Sequence, residues 1–65
     1  MNMAEPLIRL SRSIAKAIEP GGTLVLSGIL INQAPQVIAA YRAAGFRLSS
    51  HARFTGWSTL TLARM

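Results

Sequence analysis

Apolar positions open the chain at a helical period. Leu7, Leu10, Ile14 and Ile18 recur three or four apart, with Ala15 and Ala17 beside them. Arg9, Arg12 and Lys16 fall on the opposite face. Glu5 precedes Arg9 by four residues, a favourable pair at a helix start. Pro6 suits a first turn, where its missing N–H has no partner to lose. Pro20, Gly21 and Gly22 end the pattern, so a first helix is predicted at about 5–19.

The period then shortens to two. TLVLSGIL, residues 23–30, reads as a strand with Leu24, Leu26 and Gly28 on one side and Val25, Ser27 and Ile29 on the other. Both sides are largely apolar, the pattern of a parallel strand covered on both faces. Gly28 marks a close approach, of a packed helix ahead of a ligand.

Asn32 to Gln36 begin a second helix with Pro35 in its first turn and a buried stripe of Val37, Ile38, Tyr41 and Ala44. Gly45 follows as a residue able to take positive φ. FRLSSHARF alternates again: Phe46, Leu48, Ser50, Ala52 and Phe54 against Arg47, Ser49, His51 and Arg53. Thr55-Gly56 is a turn, and a last strand over about 57–63 runs antiparallel to the one before.

The order is helix, strand, helix, strand, strand. The first three elements imply a parallel, crossover-connected sheet, and the last two a hairpin at its edge. This is an α/β class, a mixed three-stranded sheet that looks like the closing half of a larger domain. Residues 1–65 read as one partial domain without repeat or linker.

Composition narrows the chemistry. No Cys is present, which excludes disulfides and thiolate metal sites. One His with two acids, Glu5 and Glu19, makes no ordinary metal centre. The net charge of +5 is spread along the chain with no basic cluster, so a solvated face outweighs a polyanion site. The run TLVLSGILI is too short to span a bilayer. Ser27, His51 and Glu19 are the only conceivable hydrolase set. Ser27 lacks the G-x-S-x-G elbow, Glu19 ends a helix, and His51 belongs to the polar side of an edge strand. Tyr41 and Trp57 read as core anchors, since two aromatics do not make a nucleic-acid stacking surface.

Several stretches together carry a family resemblance. AEPLIRLS, EPGGTLVLSGIL, Gln33, VIAAYRAAGF and GWSTLTLARM stand in order over nearly all 65 residues. The chain resembles the C-terminal end of class I S-adenosylmethionine-dependent methyltransferases. It is most similar to the family that methylates ribosomal protein eleven of the large subunit.

The resemblance implies a seven-stranded Rossmann-like sheet in which TLVLSGIL is the fifth strand. The strand at 57–63 then inserts between it and the strand at 46–54. It also implies that the first four strands, the Gly-rich cofactor loop and the ribose-gripping acid are missing. The chain has no Asp. The family's fourth motif, roughly N-I-L-A, aligns Met1 with its Asn; Asn2 takes that place only if one residue has been lost. Gly56 stands where the family often has Glu.

No catalytic residue, no cofactor-binding residue and no metal ligand is therefore expected, with Asn2 a remnant of the family's fourth motif only on condition that one residue has been lost. By resemblance the function is a fragment of a protein N-methyltransferase, with a ribosomal protein as substrate and a cytoplasmic location. The fragment is expected neither to bind S-adenosylmethionine nor to act alone. The expected partners are a complementary N-terminal half or a second copy, not a membrane or nucleic acid. The alternative is a small basic binding module without catalysis.

Overall fold

Leu10 divides the predicted first helix. In the computed structural model, which describes residues 3–65, α1 covers Ala4–Arg9 and α2 covers Ser11–Ala17. Leu10 between them has φ −93° and ψ 2°, outside the helical well. Hydrogen bonds from Leu10 N–H to the Pro6 carbonyl (3.0 Å) and from Ile14 N–H to the Leu10 carbonyl (2.9 Å) cross the junction. The helix is bent there, not ended. The bend also moves the inward face. Ala4, Ser11 and Ala15 are buried, Leu7, Ile14 and Ile18 pack beside them, and Leu10 is 50% exposed. Leu10 therefore leaves the predicted stripe, and small side chains at the centre let the bent helix approach closely.

β1 covers Thr23–Leu30, a 3-10 turn Ile31–Gln33 follows, and α3 covers Ala34–Ala43. β2 covers Phe46–Phe54 and β3 covers Trp57–Arg64. The strand order is β1-β3-β2, with both ladders antiparallel. β1 and β2 point the same way, as the helical crossover requires, but β3 lies between them. The parallel relation is thus one of direction, without a shared ladder. The placement of the last strand between the other two is that expected from the family resemblance.

Two irregularities decide which side chains are buried. In β1 the register slips between Leu26 and Ile29, and Gly28 there has φ +76°. A bulge of this kind adds one residue and reverses the alternation beyond it. Ile29 consequently joins Leu24 and Leu26 on the helix-facing side, opposite Ser58, Leu62 and Leu60. Val25, on the other side, is 59% exposed. The expectation of cover on both faces of this strand is not met among the described residues. In β2 the slip lies between Leu48 and Ser50. Phe46 and Leu48 face the helices as expected. Beyond the slip, His51 and Arg53 turn inward, and Ser50, Ala52 and Phe54 turn out. Phe54 is 81% exposed.

The core joins Ile29, Val37, Tyr41, Phe46, Leu60 and Leu62, all essentially inaccessible. The rings of Tyr41 and Phe46 meet at 5.6 Å between centroids, tilted by 58°. The Tyr41 hydroxyl donates to the Leu7 carbonyl at 2.8 Å. Leu7 is in the last turn of α1, where carbonyls lack intrahelical partners. Arg64 plays the same part for α2: its Nε donates to the Ala15 carbonyl at 3.1 Å, and its guanidinium sits 6.0 Å from the Phe46 ring centroid. A cation at a helix C-terminus also complements the helix dipole.

The radius of gyration is 10.8 Å. A self-contained domain of this length has about 10.7 Å, so one bare sheet face does not make the chain loose.

The β2–β3 turn carries backbone strain. Thr55 has φ +49° and Gly56 φ +81°, the two positive values of a type I′ hairpin turn. A β-branched residue is a poor choice for the first position, where Asn is preferred. Thr55→Asn is expected to raise the unfolding free energy by about 1 kcal/mol. Urea titration of the two proteins, giving midpoints at equal slope, measures this; an unchanged midpoint refutes it.

Candidate functional site

The conceivable hydrolase triad is not assembled. Ser27 is on β1 and His51 on β2, with β3 between them. Two strand spacings separate them by roughly 9.5 Å. Glu19 is exposed in the loop after α2. His51 has a different partner: its Nε2 lies 2.7 Å from the Ser58 hydroxyl. Ser58 is 1% exposed. Because of the β2 bulge, His51 is half-buried on the helix side, not a solvated group on a polar face. Ser58 escaped sequence reasoning, although a Ser in phase with Leu60 and Leu62 is a visible polar interruption of a buried row.

Desolvation, with the Arg53 charge second, lowers the His51 pKa from its ordinary 6.5. Folding thus favours neutral imidazole. This contribution is full above pH 6.5 and is lost as the pH falls through the lower folded value. In the imidazolium both ring nitrogens donate, so Nε2 then donates to the Ser58 hydroxyl oxygen. The proton-detected NMR titration of His51 is expected to have its midpoint below 6.5, with stability declining over the same range. A midpoint at or above 6.5 contradicts the geometry.

The largest unassigned feature is the sheet face turned away from the helices. Val25, Thr61, Thr59, Trp57, Ala52 and Phe54 lie on it, as the register shows. Trp57 is 42% exposed, so it is not the core anchor expected from sequence. It stands opposite both Leu30 and Phe54 at one end of the sheet. Tyr41 is the anchor of the pair. Beside this face, β1 pairs only with β3 among the described residues, which leaves its outer edge open. Leu26, by contrast, is buried beneath the helices.

The segment before α1 abuts the end of β1. Met3 N–H donates to the Gly28 carbonyl at 3.4 Å. A Cβ on Gly28 would lie 3.3 Å from the Met3 side chain. Gly28 thus makes room for chain packing, the reading favoured from sequence. The carboxyl ends of strands are also where open α/β sheets receive ligands. Asn2, which would stand for the Asn of the family's fourth motif only if one residue had been lost, lies outside the described residues, as does Met1.

Among the described residues no group of three His, Cys, Asp or Glu side chains could hold a metal ion. No helix is long and apolar enough to cross a membrane. A shallow cleft between α2 and α3 gathers Arg12, Lys16 and Arg64 without a carboxylate.

The profile of one protein family, described as ribosomal protein L11 methyltransferase (PrmA), matches residues 2–65. The chain belongs to the ribosomal protein L11 methyltransferase family. It is 46% identical over 63 residues to the ribosomal protein L11 methyltransferase of Bradyrhizobium diazoefficiens, covering 97% of this chain and 21% of that protein. To the protein of the same name from Caulobacter sp. (strain K31) it is 42% identical over 62 residues, covering 95% and 22%. The Chromohalobacter salexigens protein is 41% identical over 59 residues, covering 91% and 20%. The chain therefore spans about a fifth of the length of these L11 methyltransferases. The family resemblance read from PGGTLVLSGIL, AYRAAGF and WSTL stands, and the β1-β3-β2 order agrees with the sheet it implies.

Proposed function

We propose that this chain supplies the substrate-side end of a ribosomal protein L11 methyltransferase fold and acts only with a polypeptide that supplies the cofactor-binding half. The observation that carries this is the pairing of an open β1 edge with a bare apolar sheet face, in a chain whose relatives are about five times longer. A family partner strand beside β1 would occupy that edge, and the helices of the partner half would cover Val25, Trp57 and Phe54.

Residues of this chain do not fit S-adenosylmethionine by themselves. No Gly-rich loop joins a strand to a helix N-terminus here, and there is no Asp to grip a ribose. Glu5 and Glu19 are exposed on or beside the α1–α2 arm. The cofactor belongs to the complementary half, and the isolated chain is expected to show no calorimetric binding of it. The substrate is a ribosomal protein, as in the relatives' name, and the location is the cytoplasm, where that substrate is made. The contribution of this chain is placement: methyl transfer to an amine needs nitrogen and methyl donor held in line.

The test is to co-express the chain with the part of the Bradyrhizobium diazoefficiens relative that precedes the matched region. Co-purification, and methyl transfer to ribosomal protein by the mixture but by neither part alone, is the expected result. Failure of the two to co-purify, or full activity of the chain alone, defeats the reading.

A second reading, a basic binding module without catalysis, draws on the Arg12, Lys16 and Arg64 cleft. Salt-sensitive RNA binding by the chain alone, lost on Lys16→Gln together with Arg12→Gln, would favour it.

A further inference from the structure

On the helix side of β2 lies a second opening, a groove of about 420 Å³ that has no part in the proposed assembly. One wall is the outer side of α3, where Pro35, Ile38 and Arg42 fall on one stripe. The other is β2, through Leu48, His51 and Arg53. Arg53 and His51 reach it only because the bulge near Ser49 turns them inward.

Three observations define what fits there. The base is aliphatic. The guanidinium groups of Arg42 and Arg53 make no hydrogen bond or ion pair among the described residues, and no acidic residue lines the groove. And β2 is an edge strand, so the backbone groups on its outer side are open to a further strand. We propose that this groove and the β2 edge together bind an extended peptide segment that carries a carboxylate between aliphatic side chains.

Backbone pairing along β2 would fix such a segment as an added strand, the general mode of β-augmentation. In a strand, alternate residues share a face. A leucine, a glutamate and a leucine at alternate positions would therefore all project toward the helix side. The leucines would pack on Ile38 and Leu48, and the glutamate would meet Arg42 and Arg53. Paired guanidinium–carboxylate contacts are the stronger, more directional kind of hydrogen bond. A second copy of this chain is a poor occupant. Its only acidic side chains are Glu5 and Glu19, and Glu5 is already in a helix, 3.6 Å from Arg9.

The proposal does not depend on the methyltransferase assembly, which uses the other sheet face and the β1 edge. It is tested on the whole 65-residue chain, isotope-labelled for amide NMR. The probe is a blocked seven-residue peptide with leucine, glutamate and leucine at alternate positions and threonine between them. Val25→Lys serves as the background if the wild-type chain associates, since Val25 lies on the opposite face. Expected are amide shifts concentrated in residues 35–42 and 46–54. Affinity should fall at least tenfold when the peptide glutamate becomes glutamine, and again in Arg42→Gln with Arg53→Gln. Equal binding of the glutamate and glutamine peptides overturns the proposal, as do shifts confined to the open face around Val25 and Trp57. So does the absence of any shift at millimolar peptide. Shifts produced by a short RNA, with none from the peptide, replace it with a polyanion site.

Discussion

Replacing Tyr41 with Ala is expected to leave the chain largely unfolded. Tyr41 is wholly buried, packs on Phe46, and ties α3 to α1 through the Leu7 carbonyl. Truncating a large buried aromatic costs about 3–5 kcal/mol. A domain of this length has roughly 3–10 kcal/mol in total, so the loss is comparable with everything available. Tyr41→Phe separates the two contributions. It keeps the ring, removes the hydroxyl, and is expected to cost about 1 kcal/mol. Burial also raises the phenol pKa above its ordinary 10.0. Folding therefore favours the neutral phenol, a contribution that is full below pH 10 and lost as the pH rises through the folded value. Tyr41→Phe should flatten that alkaline loss. Circular dichroism melts of the three proteins are the measurement. A cooperative Tyr41→Ala transition within a few degrees of the parent would show that the helices are held by something else.

The chain is expected to self-associate through its open β1 edge, and Val25→Lys to return it to a monomer. Val25 is exposed on the open face, one residue from the buried Leu26, on a strand whose outer edge is unpaired. Open edges recruit strands, and β1 carries no charge or Pro to prevent it. A Lys at this site puts a charge into any face-to-face or edge-to-edge contact, and association should weaken at least tenfold, about 1.4 kcal/mol. Sequence alone makes position 26 look equally suitable, but Leu26 faces the helices. Leu26→Lys would place an unpaired charge in the core and should unfold the protein. Sedimentation velocity over a range of concentrations, with thermal melts alongside, distinguishes the two. Unaltered association in a folded Val25→Lys protein would remove the open edge and face as its cause.

Much of the architecture was legible along the chain. β1 and β2 run where the period-two stretches begin and end, and Pro35 lies in the first turn of α3, the position it prefers. Local steric rules set these bounds, so local sequence reveals them. Gly45 likewise takes positive φ after α3. Four of the differences share one cause. Leu10, Ile29, His51 and Phe54 were each assigned a side by extending a regular period through a point where the backbone is irregular. One extra residue in a strand reverses every side chain beyond it, and Ser49 has no signature that marks such a point; the bend at Leu10 turns out that residue and leaves Ile14 and Ile18 facing inward.

The sequence by itself determined the element order, the α/β class and the family, because turn chemistry, period and the run PGGTLVLSGIL are properties of neighbouring residues. Only the tertiary structure decided that, among the described residues, one face of the sheet is uncovered and that His51 bonds Ser58. It alone placed Arg53 on the same aliphatic groove as Arg42. Those outcomes depend on the register of β3 against both neighbours, which joins residues far apart in the chain. Register is a long-range choice, set where Leu60 and Leu62 fit beneath the helices, and the two bulges are the local distortions that let all three strands satisfy it.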